Sequence, residues 1–311
     1  FSAYIMQAMS VVDGTAEEFV QRNRFAMEAS SEAIGPVAYP WGFPLLLAPV
    51  YALVGLALFV FKLLEVILYQ LFLFVLWFGL ADRLTKAERL AVLAIFAFNP
   101  FMLRFSNNVL SDIPFLLFST ISLLMIDRVA RNLVLKNVAG FGVVLGLMVA
   151  AAFFMRSNGV LLLPILVLAC WLADRRYRIL MAGLLGFAVP VLLLSSVLPD
   201  AQGSYVDQLR AISVNSVWAN LLYYAKLLQD FFAPSTDLRH LGLLVYLLTL
   251  PFVGAGVYMH WRGSWGFLLY AGLTLALFVA WPFQQGLRFL FPLLPVYIYF
   301  GVLGCRELLG P

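Results

Sequence analysis

The stretch "RFSNNVLSDIPFLLFSTISLLMIDR", residues 104–128, sets a carboxylate at the lip of a long run without charge. Polar Ser106, Asn107 and Asn108 lead to Asp112, and no further charge follows until Asp127 and Arg128. An apolar stretch of this length reads as a helix that crosses a bilayer. Asp112 therefore marks the place where a chain enters an apolar phase. What it does there depends on which side the lip faces and on what gathers around it.

The rest of the chain repeats the pattern. Of 311 residues, 63% are hydrophobic and 12% charged, with a mean hydropathy of +0.95. A soluble domain is about half apolar and about a quarter charged. A membrane β-barrel would show short alternating segments instead. The fold class expected is an all-α polytopic membrane protein. Spans are predicted near 63–80, 90–105, 110–127, 139–155, 158–173, 179–198, 240–259, 264–281 and 286–304.

Basic residues orient these spans. "ADRLTKAER" (81–89), "DRVARNLVLK" (127–136) and "DRRYR" (174–178) each hold three Lys or Arg, and Arg262 and Arg306 continue the series. The opposite turns hold one each, Arg104, Arg156 and Arg288. Cytosolic connections are the ones enriched in Lys and Arg, so the Asp112 lip faces outward. The net charge of +4 is thus a matter of topology and needs no nucleic acid. Cys170 and Cys305 fall near the cytosolic side, where a disulfide is not expected. His240 and His260 read as interfacial, and no Cys/His cluster suggests a metal.

The same parity gives "FPLLLAPVYALVGLALFVF" (43–61) no crossing, so residues 1–62 are expected to lie outside. Pro40, Pro44 and Pro49 suit a bent, shallow helix, with Lys62 and Glu65 at an interfacial turn at its end. "GTAEEFVQRNRFAMEASSEA" (14–33) reads as an amphipathic helix, N-capped by Thr15 with Glu18 completing a capping box. A span is expected ahead of Phe1. Residues 199–239 form a second large outer loop, polar in "PDAQGSYVDQLR" and amphipathic in "VWANLLYYAKLLQDFF".

The parts come in a recognisable order: Asp13 in an outer loop, "YPWGFP" (39–44), "NP" (99–100), "LSDIPF" (110–115), "RSNGVLLLP" (156–164) and "GLRFLFPLLPVYIYF" (286–300). In this order the chain resembles the GT-C superfamily of polyprenyl-phosphate-sugar-dependent glycosyltransferases. It is most similar to the bacterial branch of protein O-mannosyltransferases and aminoarabinose transferases. The resemblance covers nearly the whole chain. It implies a GT-C-type bundle with juxtamembrane helices in the first outer loop (1–62), a transmembrane module (63–198), a second periplasmic loop (199–239) and C-terminal transmembrane helices (240–311). It also implies a cytoplasmic (inner) membrane location with a periplasmic active face.

The implied reaction moves a sugar from a polyprenyl-phosphate donor to a glycan, lipid or protein acceptor, with no cofactor or metal. A carboxylate takes the acceptor's proton, and arginines bind the departing phosphate. Asp13 is the first candidate base. Relatives often carry two adjacent acids there; here Asp13 stands alone, with Glu17 and Glu18 as alternatives that also read as helix-start residues. Asp112 is read both as an N-cap and as a second active-site carboxylate. Arg156 and Arg288 are the phosphate-binding candidates, Arg288 beside Gln284 and Gln285, and Tyr39 is a donor to phosphate or sugar. Two other classes stay open. One is a flippase or secondary transporter, which would place ionisable groups near the midplane; the other is a noncatalytic scaffold subunit.

Overall fold

The structure, a computed structural model, describes residues 2–30, 37–133, 137–173, 176–199, 214–233, 238–281, 284 and 286–310. These residues are helical throughout, with no strand among them. The helices are α1 (Ser2–Val12), α2 (Ala16–Glu28), α3 (Gly42–Val54), α4 (Leu58–Gly79), α5 (Lys86–Ala97), α6 (Pro100–Ser106), α7 (Asp112–Ala130) and α8 (Val138–Met155). A 3-10 turn over Ser157–Leu161 leads into α9 (Leu162–Leu172), then α10 (Tyr177–Val197). After these come α11 (Val214–Leu227), α12 (Gln229–Phe232), α13 (Arg239–His260), α14 (Trp265–Ala280), a 3-10 turn over Leu287–Leu293, and α15 (Leu294–Leu309).

Among the described residues, six segments are long and apolar enough to cross a membrane: Leu58–Gly79, Asp112–Ala130, Val138–Met155, Tyr177–Val197, Arg239–His260 and Leu287–Leu309. This is the architecture of a multi-pass membrane protein. Two further expected spans are shorter, Ser157–Leu172 and Trp265–Ala280. The span expected over 90–105 is broken, with α5 and α6 meeting at 62°. The break has a local cause: Asn99 caps α6 by accepting from the Met102 amide at 3.0 Å, and Pro100 occupies the first turn. Proline lacks the N–H that would continue the preceding helix.

α7 is the axis of the bundle. Its apolar window is 72% buried, against 11% for α13, so α13 turns most of its leucines to the surroundings while α7 touches protein on nearly all sides. α4, α8, α9 and α14 surround α7. Two further helix pairs close through small residues. Gly142 and Gly146 of α8 abut the backbone of Ile179 and Gly183 in α10, and Gly256 of α13 abuts Phe300 of α15. Glycine admits such backbone approach because no Cβ intervenes, a packing mode favoured between membrane helices.

α7 also separates two polar ends, since Asp112 and Asp127 stand roughly 22 Å apart along its axis. At the Asp127 end, Arg83 pairs with Asp127 and also reaches Gly263 O at 2.8 Å and Ser264 Oγ at 3.2 Å. Arg131 joins Asp127 at 2.9 Å, His260 meets Glu307 at 3.1 Å and Arg306 meets Glu88 at 3.5 Å. The basic connections thus meet at one end of the bundle. At the other end Trp41 donates to Pro199 O at 2.9 Å, Asn99 to Phe231 O at 2.7 Å and Asn220 to Trp281 O at 2.6 Å.

α3 begins at this second end, where Gly42 packs on Phe154, and α4 departs from the same end. Three local expectations are corrected. α4 starts at Leu58, so Lys62 and Glu65 lie within its second turn and not in an interfacial loop. Thr15 makes no side-chain cap; its φ of −107° and ψ of 23° leave the extended conformation that a capping hydroxyl requires. The capping box with Glu18 is therefore not formed. The "DAQGSYVDQLR" stretch of the second outer loop and Gln285 lie outside the described residues.

Candidate functional site

The N-terminus of α7 carries the densest polar cluster at the end opposite the basic connections. Asp112 is its first residue and is 1% exposed. Its carboxylate does not cap the helix, because Arg156 Nη1 donates to it at 2.8 Å. An oppositely charged partner in a dry setting outcompetes a backbone amide for the carboxylate. Ser111 holds the N-cap position without a side-chain capping bond.

Arg156 reaches Asp112 because α8 ends at it. Its φ of −152° and ψ of 132° turn the chain out of the helix. The following 3-10 turn folds back so closely that a Cβ on Gly159 would sit 2.5 Å from the Phe153 amide nitrogen. "RSNG" is thus a helix exit that needs its glycine. The Arg156 guanidinium also lies over the Phe289 ring, 4.5 Å from its centre. The Arg288 guanidinium is 5.7 Å from the centre of that same ring. Two cations from opposite parts of the chain therefore share one aromatic neighbour, an arrangement that favours both.

α1 lies against the third side. The Tyr4 and Ser111 hydroxyls are hydrogen-bonded at 2.9 Å, and the Tyr4 ring is 4.3 Å from that of Tyr39. Gln7, fully buried, clamps Tyr39 from both sides: its amide donates to Tyr39 O at 2.8 Å and accepts from Tyr39 N at 3.1 Å. Burial pushes the Tyr4 phenol above its ordinary range; the Asp112 charge adds to this and Arg156 opposes it. Tyr4 is then a protonated hydrogen-bond donor or acceptor at any working pH.

Tyr39, Asp112, Arg156 and Arg288 are thereby brought together from four separate sequence motifs. Asp13, Glu17 and Glu18 are not. Asp13 occupies an exposed turn nine residues beyond Tyr4, roughly 13 Å along the direction of α1. Glu17 and Glu18 are exposed on the first turn of α2, where Glu17 accepts from Gln21 at 3.1 Å. Gln284 donates to Asn220 at 3.1 Å, tying α11 to the approach of Arg288.

Sequence reasoning missed Tyr4, Gln7, Ser111 and above all Glu65. Glu65 is fully buried in α4, and its Oε1 accepts from the Leu110 amide at 3.1 Å. Its Oε2 is buried with no hydrogen-bond partner among the described residues. A signal existed: Phe61, Glu65, Leu68 and Phe72 recur at helical spacing and are all buried, so the glutamate shares the core face. Among the described residues no three His, Cys, Asp or Glu gather as metal ligands would.

The arrangement suits an anion. Two guanidinium groups flank one ring, one of them fixed by a carboxylate, with tyrosine hydroxyls nearby. Comparison of the chain with protein-family models, curated proteins and solved structures finds no match.

Proposed function

We propose that the chain is an integral membrane glycosyltransferase that moves a sugar from a polyprenyl-phosphate carrier to an acceptor at the periplasmic face of a bacterial inner membrane. One observation carries this reading. The motifs that resemble the GT-C superfamily, spread over some 250 residues, contribute Tyr39, Asp112, Arg156 and Arg288 to a single cluster. In this reading Arg156 and Arg288 take the carrier phosphate, which guanidinium groups bind in a planar, permanently charged fashion. Asp112 sets the orientation of Arg156.

The base role passes from Asp13 to Asp112. In inverting glycoside hydrolysis the two catalytic carboxyl groups stand roughly 6.5–9.5 Å apart, which leaves room for the incoming oxygen. A phosphate on the far nitrogens of Arg156 would lie roughly 7 Å from Asp112, counting two hydrogen bonds and the guanidinium between them. No hydrogen bond or ion pair among the described residues joins Asp13, Glu17 or Glu18 to this cluster. α1 and α3, lying at this end of the bundle, would frame the entry of the acceptor.

Arg288→Ala is expected to weaken binding of a polyprenyl-phosphate sugar by about 10–150-fold, the effect of one charge-assisted contact worth roughly 1.5–3 kcal/mol. Lysine should recover part of the loss, as it keeps the charge without the planar fork. Scintillation binding to purified protein in lipid nanodiscs measures both. Unchanged binding in Arg288→Ala would remove the phosphate assignment.

A second reading, secondary transport of a sugar or lipid, is favoured by Glu65. A buried ionisable group inside an apolar helix is a hallmark of coupled transport. Uptake of labelled substrate into proteoliposomes without covalent transfer would place this reading first.

A further inference from the structure

Glu65 has no role in the glycosyltransferase reading, yet its surroundings are specific. It lies seven residues into α4, roughly 10 Å from the helix start, with no exposed surface. One oxygen receives the Leu110 amide, two residues before Asp112. The charge of Asp112 itself is already matched by Arg156. Among the other charged or titratable groups on the elements packed there, Lys62 of α4 itself, Tyr51 of α3 and Arg104 of α6 make no ion pair or hydrogen bond with Glu65 in the described residues. Tyr69, one turn further along α4, donates to Phe96 O at 2.6 Å instead.

Glu65 has no basic partner among the described residues, and its second oxygen is buried without a hydrogen bond. An ionised carboxylate without a partner in apolar surroundings is so costly that the group takes up a proton instead. We propose that Glu65 is a positioning residue that works as a neutral carboxylic acid: it holds the Leu110 amide, fixes the turn that delivers Asp112 to Arg156, and keeps the site attractive to an anion. Its anion-binding part rests on the phosphate reading above; its protonation and its grip on Leu110 do not.

The pH sense follows directly. Protonated Glu65 adds no negative charge behind the turn that carries the Asp112–Arg156 pair. As pH rises and Glu65 ionises, a second negative charge enters and anion binding weakens. Glu65→Gln mimics the neutral acid, since its amide oxygen accepts from Leu110 and carries no charge. Glu65→Leu removes the acceptor and leaves a buried N–H unsatisfied.

Three measurements on the full chain in nanodiscs test this. Infrared difference spectra at neutral pH should show the C=O band of a protonated carboxylic acid in the wild type that is missing from Glu65→Gln. Exchange of the Leu110 amide should stay protected in Glu65→Gln and lose about tenfold or more of its protection in Glu65→Leu. Binding of farnesyl phosphate should weaken with rising pH in the wild type, in step with loss of the band, and vary less in Glu65→Gln. Absence of the band, or equal protection of Leu110 in all three proteins, overturns the assignment. If the band and the amide behave as expected while the wild type fails to bind farnesyl phosphate, Glu65 stands and the donor reading falls.

Discussion

Arg156→Ala is expected to lower stability by about 3–5 kcal/mol, the usual consequence of stranding one member of a buried ion pair. The Asp112 side chain is 2% exposed and that of Arg156 14%, so the pair is largely shielded from bulk water and salt. Removing the charge from both should be milder. Arg156→Gln combined with Asp112→Asn leaves two neutral amides that can still hydrogen-bond, and the double variant should be more stable than Arg156→Ala alone. Thermal unfolding in detergent, followed through a double-mutant cycle, gives the coupling directly. Additive single effects would mean that the pair contributes little and that the end of α8 is held by other contacts.

The second large effect concerns chemistry. Under the proposed mechanism Asp112→Asn should reduce sugar transfer by roughly 10²–10⁴-fold, the contribution of a positioned general base. The amide keeps an oxygen for Arg156, so donor binding should fall far less than turnover. Asp13→Asn, Glu17→Gln and Glu18→Gln should stay near wild-type turnover, because all three side chains are exposed and no hydrogen bond or ion pair among the described residues joins them to the cluster. A single-turnover assay with a radiolabelled lipid-linked sugar separates binding from transfer. Loss of transfer in Asp13→Asn with Asp112→Asn still active would return the base to the first outer loop and require α1 to move on acceptor binding.

Much of this arrangement was legible in the sequence. The alternation of basic and non-basic connections placed Arg83, Arg131 and Arg306 at one end of the bundle, and they do meet there. Tyr39, Asp112, Arg156 and Arg288 stood out as lone polar residues at the ends of apolar runs, the positions where a side chain must find either water or a partner. Their mutual contacts were not legible, since these depend on which helices neighbour α7. Asp112 shows the limit well: its sequence context is that of a helix cap, and only the folded chain brings Arg156 to it.

Glu65 was misjudged for a different reason. Its charge and that of its neighbour Lys62, at the end of the 43–61 stretch, made the segment look like a turn, whereas the turn closes at Gly55, where φ is +65°, and the helix is already under way at Leu58. Shifting the helix start by five residues moves the glutamate from an interface into the core. Asp13 stood out by loop position alone, and the folded chain sets it on an exposed turn just past α1. Gln7 had no signal beyond a polar residue three positions from Tyr4, on what proved to be the buried face of α1.

The central claim is that this cluster binds a phosphate-linked sugar carried by a polyprenyl chain. Mass spectrometry of the lipids that remain bound to the purified protein tests it most directly. A polyprenyl-phosphate sugar retained by the wild type and depleted from Arg288→Ala is the predicted result. Recovery of bulk phospholipid alone, in equal amounts from both proteins and even after incubation with such a donor, would contradict it.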